Sequence, residues 1–560
     1  MPALGYKKAL NLYFSRTKNL LKIFIHNPKG IIGLFVIIIF ALMAIFAPLL
    51  TPYDPVKDKY VSGSYSAPVW LKYIPSFLGG RPGAAENFAI TENSDFTNSL
   101  EAWNYTTAPH ISVNHSSFGI DETNPGSAKI TFTRNETEDT YGNVTVTLNK
   151  EFYYPFAEKP RKFTVYCSLF ANGTLYNETI SKLVRERYYD NATGKWKIRT
   201  YYLNTTKIGL DVNITIFIYI QRVSDGKIFP VWPYQPQLAD YLYVDASPAD
   251  KFPKPGTIYN ASKRWIKTDT FTPDSDIIRY PGIEDVTPII FNQTLIPGYY
   301  RLGINITFQD FKTPLKEVEA SLYVDRFYIK FEGTVWGLMG TDHYGSDLWS
   351  QLVYGSRISL YVGLLSSILS VLIGLIVGLA AGYMGRYVDE VLMRFSDMLL
   401  VLPGLPLLIV LIAVLGATAE NLIIIIGLLG WMGFARLVRS QVLSLKERPF
   451  VEAARAVGAG RFHIISTHIM PNVMSLVYVS LATSVPSAIV SEAALSFLGF
   501  YDPNRMSWGR MLYEVQANGA VQYWWWVIPP GLCIAALAIA FIMFGFALDE
   551  IFNPKLRMRR

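Results

Sequence analysis

Apolar residues in this chain gather into six runs. A long polar stretch with a two-residue alternation separates the first run from the other five. A helix that crosses a bilayer needs ~20 mostly apolar residues. Residues 31–50 form the first such run, and 359–383, 398–416, 421–437, 472–491 and 525–547 form the rest. The first run shares features with a signal peptide, including Ala44 and Ala47 near its end, but its length and the lack of a sharp cleavage pattern predict an uncleaved span. Residues 10–25 mix apolar and basic side chains and are expected to lie along the inner membrane surface. The pattern therefore predicts an all-α polytopic membrane domain with six transmembrane helices.

The intervening stretch reads differently. Residues 129–133 and 144–148 alternate Ile, Phe, Val and Leu with Thr and flank a polar turn, which predicts a hairpin. Residues 212–220, 300–308 and 320–331 predict further strands. Many short strands with Tyr- and Thr-rich alternation predict an inserted all-β sandwich. This gives three parts: 1–52 with the first span, 53–336 as a separate β domain, and 337–560 as the remaining membrane core.

Composition agrees with this mixture. The chain is 51% hydrophobic with a mean hydropathy of +0.22, too apolar for an ordinary soluble enzyme and too polar for a protein wholly in lipid. A net charge of +7 suggests nucleic acid at first sight, but the basic residues cluster beside the apolar runs, as membrane topology requires. Lys7, Lys8, Arg16, Lys18, Lys22 and Lys29 precede the first span. Arg386, Arg394, Arg439, Lys446, Arg448, Arg455 and Arg461 fall in the even-numbered gaps, and the tail carries Lys555, Arg557, Arg559 and Arg560. Both termini are thus expected in the cytoplasm of a multi-pass plasma-membrane protein, with 53–336 outside. Asn-x-Ser/Thr triplets point the same way, because all of them lie in that segment: Asn104, Asn114, Asn135, Asn143, Asn172, Asn177, Asn191, Asn204, Asn213, Asn260, Asn292 and Asn305. Their number predicts an N-glycosylated outer surface. The two cysteines, Cys167 and Cys533, fall in unlike surroundings and are not expected to pair, and no spacing suggests a metal site.

Three features carry candidate chemistry. Between the fourth and fifth apolar runs, in a gap expected on the cytoplasmic side, stands Glu452-Ala453-Ala454-Arg455-Ala456-Val457-Gly458-Ala459-Gly460, followed by Arg461. Pro449 and Glu452 suit a helix start, the small alanines allow another backbone to approach, and the glycines allow a bend. The stretch, about 446–465, either docks a cytoplasmic partner or lies on lipid headgroups. Ser480, Ser484, Ser487 and Ser491 recur at helical steps within the fifth run, either lining a path or packing helices closely. Glu492 follows them, and a carboxylate at membrane depth is costly enough to suggest a role at a cavity. The chain has no Gly-x-x-x-x-Gly-Lys-Ser/Thr loop for ATP and no nucleophile constellation.

Glu452-Ala453-Ala454, Gly458 four residues later and Ile469-Met470-Pro471 resemble the coupling-helix motif of ABC importer permeases. The wider pattern is similar to the second permease subunit of the dipeptide/oligopeptide/nickel class. It comprises Asn27-Pro28-Lys29-Gly30, the run from Phe46 to Pro55, Gly340-Thr341-Asp342-His343-Tyr344-Gly345-Ser346-Asp347, the run from Leu352 to Leu360, Ser491 to Gly499, and Ser507-Trp508-Gly509. Ser346 stands where that pattern has Arg. The resemblance implies a type I ABC importer fold and alternating access. It also implies a second permease, two ATPases that bind ATP and Mg, and an external solute-binding protein, with no cofactor in this chain and no enzyme activity of its own. Peptide is the expected substrate class, and an oligosaccharide importer of the same class is the alternative. A weaker resemblance, of residues 94–103 and 322–329 with Val324-Asp325, is to galactose-binding-like jelly rolls. It leaves structural docking, carbohydrate binding and a membrane-anchored glycan receptor open. Dense sequons on a prokaryotic type of importer imply an archaeal cell.

Overall fold

Asn27 begins the first long helix. Its side chain accepts from the Gly30 N–H at 3.3 Å, and Pro28 occupies the first turn, where a missing N–H leaves no bond unmade. The computed structural model describes residues 27–552, apart from 92–95, 97–98, 120–125, 191–194, 233–255, 259–265, 272–285 and 312–313. The basic residues expected at both ends, the amphipathic stretch 10–25 and residues 94–95 lie outside the described residues.

The chain divides into two compact units, Met1–Pro68 with Gly337–Arg560 and Val69–Trp336. The break lies at residue 69, not at 53 as the hydropathy suggests. Residues 60–66 are tied into the helical unit: Tyr60 and Val61 donate to the Tyr344 and Gly345 carbonyls, and the Ser66 carbonyl accepts from the Thr341 N–H at 2.9 Å. Gly340, at a φ of +78°, makes this contact possible, because a Cβ there would stand 2.1 Å from the Ser66 oxygen.

The helical unit contains α1 (Pro28–Ile45), α2 (Leu348–Met384), α3 (Arg386–Val401), α4 (Gly404–Leu415), α5 (Ala419–Leu445), α6 (Pro449–Ala456), α7 (Arg461–Phe497), α8 (Trp508–Ala517) and α9 (Trp524–Phe552). Five of these are long and apolar enough to cross a membrane: α1, α2, α5, α7 and α9. The third predicted span, 398–416, is not a straight helix. α3 and α4 meet at 91°, and only if this bent pair crosses as one does the count reach six. The cause is local. Leu402 precedes Pro403 and is driven out of the helical region to φ −70°, ψ 138°.

α2 and α5 pack through a feature the sequence reading missed. Gly374, Gly378 and Gly382 recur every four residues on α2, and Cβ atoms there would fall within 3.0 Å of the Trp431, Ala435 and Arg439 carbonyl oxygens. Small residues on one face let two backbones approach and replace the hydrophobic drive that lipid does not supply. Asp389 on α3 bonds to Arg439 on α5, and Asp397 to Arg436.

The second unit is all-β. One sheet has the order Ile266–Phe271, Lys162–Gly173, Val318–Glu332, Ser127–Arg134, Ile111–Ser116, with Phe88–Ile90 also on Val318–Glu332. The other runs Ile228–Trp232, Asn213–Arg222, Gly298–Asp310, Gly142–Tyr154, Asn104–Tyr105, with Gly256–Ile258 also on Asn213–Arg222. Leu175–Asp190 and Lys195–Leu210 form a separate hairpin. Residues from both sheets share one core, in which Phe132 stacks on Phe308 with ring centroids 5.8 Å apart. The architecture is a sandwich.

The expected hairpin of 129–133 with 144–148 is corrected. These strands lie in opposite sheets, and Ser127–Arg134 pairs with Val318–Glu332 and Ile111–Ser116 instead. Alternation dictates that Ile130, Phe132, Val146 and Leu148 point inward, but a crossing from sheet to sheet satisfies that as well as a tight turn does. Val324 and Asp325 are both buried, at a bulge where the register shifts, and the Asp325 carboxylate accepts from the Arg326 N–H at 2.6 Å. That contact fixes the backbone of Arg326, whose φ is +49°.

Candidate functional site

Pro449 starts α6, an eight-residue helix with Glu452 in its first turn, where the positive end of the helix dipole favours a carboxylate. Its end is held by a paired bond: Gly458 donates to the Arg455 carbonyl and Ala459 to the Ala454 carbonyl. This is a Schellman motif, and Gly458 takes the left-handed position at φ +89°. The helix is two-faced. Val451 is fully buried and Ala454 packs beside it, while Glu452, Ala453, Arg455 and Ala456 are exposed. Ala454 therefore faces inward, and the approachable small surface is Ala453 and Ala456. Val457 is 90% exposed and Phe462 83%, next to exposed Arg461. The result is a projecting apolar edge flanked by charge, seated on a firm base.

A second feature lies between the long helices. Ser366, Ser367 and Ser370 of α2, with Ser484, Ser487 and Ser491 of α7, line a cavity of about 190 Å³. Gly404 and Leu408 of α4 and Gly430 of α5 complete it. Three of the expected path residues, Ser484, Ser487 and Ser491, are thus brought together, and Ser480 is not among the lining residues. The α2 serines were missed, although Ser366 and Ser370 lie four residues apart in an apolar run, as telling a signal as the α7 stripe. The cavity walls offer hydroxyls and apolar carbon but no ionisable side chain.

Glu492 is placed elsewhere. It is 1% exposed, accepts from Ser496 Oγ at 2.8 Å and Ser359 Oγ at 3.3 Å, and does not line the cavity. It clasps α7 to α2. Trp526 is likewise fully buried, beside Tyr65 and His343, and Trp525 nearly so. Of the three consecutive tryptophans only Trp524 is well exposed. Asp342, His343 and Glu514 bring possible donor atoms within 4.8 Å of one another. However, Asp342 already accepts from the Tyr344 and Ser346 N–H groups and Gln351 Nε2, and Glu514 from Arg510 Nε.

Of the sequons, Asn104, Asn114, Asn135, Asn143, Asn172 and Asn292 are exposed. Asn213 and Asn305 are half-buried on neighbouring strands, and Asn305 accepts from Thr147 Oγ1 at 2.8 Å. Asn191 and Asn260 lie outside the described residues, as do the side chains of Asn177 and Asn204.

Residues 371–558 match the family described as the binding-protein-dependent transport system inner membrane component, and 15–68 match the N-terminal TM domain of oligopeptide transport permease C. The dipeptide transport system permease protein of Bacillus subtilis (strain 168) is 37% identical over 219 residues, 39% of this chain and 68% of that protein. A putative peptide permease protein of Brucella suis biovar 1 (strain 1330) is 37% identical over 220 residues, 39% of this chain and 72% of that protein. Among solved structures, the inward-facing MetNI methionine ABC transporter aligns at 19% identity over 36% of this chain and 95% of that chain, with a TM-score of 0.29.

Proposed function

Because the chain belongs to the permeases of peptide-type ABC importers, we propose that it imports di- or oligopeptides by alternating access, driven by ATPases that dock on α6. The observation that carries the docking reading is the form of the 449–464 segment. Its inner side is anchored by Val451 and Ile464, and its outer side presents Glu452, Ala453, Val457 and Phe462. A partner that grips this edge moves α5 and α7 with it, because α6 is joined to both within a few residues. ATP and Mg belong to the ATPases, and a second permease and an external solute-binding protein complete the assembly. In this reading both termini are cytoplasmic and the β unit is external.

The test is gentle purification of the tagged chain followed by uptake assays on the reconstituted complex. Glu452→Lys and Ala453→Trp should each lose the co-purifying ATPases and abolish uptake, with the β unit still folded. Full retention of both by both variants rejects the docking surface. The captured ligand of the solute-binding protein then separates peptide from oligosaccharide.

A further inference from the structure

The serine-lined cavity supports a more specific assignment, which rests on the permease reading above. Its hydroxyls are unequal in what they have left to offer. Ser366 donates to the Val362 carbonyl at 2.5 Å, Ser367 to Gly363 at 2.7 Å, Ser484 to Leu481 at 3.1 Å and Ser491 to Ser487 at 2.8 Å. Each has spent its proton on its own helix and keeps lone pairs that accept. Ser370 and Ser487 are different. Neither hydroxyl has a hydrogen-bond partner among the described residues, and Ser370, at 6% exposed, is the more deeply set of the two. The Ser370 oxygen opens on the cavity, so its proton is free to bond whatever occupies that space.

Gly430 keeps that hydroxyl reachable. It also lines the cavity, and a Cβ there would stand 2.7 Å from Ser370 Oγ. The cavity, at about 190 Å³, is smaller than the ~300–1,000 Å³ pockets that enclose a whole small ligand. Its size suits a segment of a longer molecule. With no ionisable side chain in its lining, it has nothing to pair with a charged terminus. A peptide amide presents one acceptor and one donor side by side, and this wall presents free donors at Ser370 and Ser487 among acceptors. Leu408, Ile426 and Leu429 provide an apolar surface for side chains of varied kind.

We propose that this cavity, formed within one permease subunit, holds a backbone amide of the peptide in transit, with Ser370 donating to the passenger's carbonyl and the helix-bonded serines accepting from its N–H. Recognition here reads the main chain and ignores the charge of the side chains.

The experiment uses the complex with its ATPases and solute-binding protein in liposomes. It is offered two pools, an equimolar library of tri- to hexapeptides with neutral, acidic and basic side chains and a ladder of maltooligosaccharides, and uptake is read by mass spectrometry. Ser370→Ala should raise the half-saturation concentration about two- to tenfold, equally for all three charge classes, and Ser370→Thr should restore it. Gly430→Val should suppress uptake in a complex that retains its ATPases. Uptake by Ser370→Ala and Gly430→Val equal to that of the parent overturns the cavity assignment while leaving the permease reading intact. An effect of Ser370→Ala confined to one charge class overturns main-chain recognition. Parent complex that takes up only oligosaccharide overturns the amide. A chain that purifies without ATPases and imports neither pool overturns the permease reading itself.

Discussion

Gly458 and Gly460 look alike in the sequence and are unlike in the molecule. Gly458 sits at φ +89° with nothing within 4 Å of a would-be Cβ, so backbone conformation alone selects glycine. Gly460 caps the next helix at φ −65°, where any residue is at ease. An L-residue in the left-handed region costs roughly 1–2 kcal/mol. Gly458→Val should therefore speed hydrogen exchange across 449–464 and weaken ATPase retention, whereas Gly460→Ala should do neither. Glu492 makes a second contrast. Glu492→Ala leaves Ser359 and Ser496 without their buried acceptor and should destabilise the helical unit by about 1–3 kcal/mol, seen as a lower melting temperature in detergent, while Glu492→Gln keeps an acceptor and most of the stability. The sequence shows that a carboxylate at this depth is unusual. It does not show which helix supplies its partners, since Ser359 is 133 residues away.

Among the elements, what was legible follows from run length and period. The long helices announce themselves by the length of their apolar runs, and the strands 213–222, 298–310 and 318–332 by a step of two. What was not legible is who pairs with whom. Strand alternation fixes an inward face but no partner, which is why 129–133 and 144–148 read as a hairpin and lie in opposite sheets. The bend between α3 and α4 has a local signal in Leu402-Pro403-Gly404, which a count of apolar residues does not register. A charged contact in the β unit yields a pH prediction. Arg222 bonds Asp225 and also reaches the Ile289 and Ile290 carbonyls, and its guanidinium holds the Asp225 carboxyl below the ordinary range. A depressed folded value means that its contribution is present above the unfolded value of ~3.9 and is lost as pH falls through the folded one. Hydrogen-exchange protection over 213–232, taken relative to the intrinsic rate at each pH, should fall on acidification below pH ~4 more steeply in the parent than in Asp225→Asn.

For the whole molecule, the two family matches cover 15–68 and 371–558, and the first ends where the helical unit gives way to the β unit. Residues 69–336 form a unit with its own core. Replacing them by a short glycine-serine linker should leave a helical unit that still retains its ATPases, and loss of that retention would mean that the units need one another to fold. Such a replacement is short because Ser66 and Thr341 are already hydrogen-bonded.

That same bond sets an order of events during synthesis. Residues 60–66 leave the ribosome early, yet the carbonyls and N–H groups they require lie at 341–345 and do not exist until the β unit has been made. Until then residues 60–66 are made without these partners. The statistical penalty for joining such distant points grows only slowly with the length between them, and folding of the intervening unit reduces it further. Completion of the helical unit is thus timed by the β unit, which acts as a delay in the assembly of the permease.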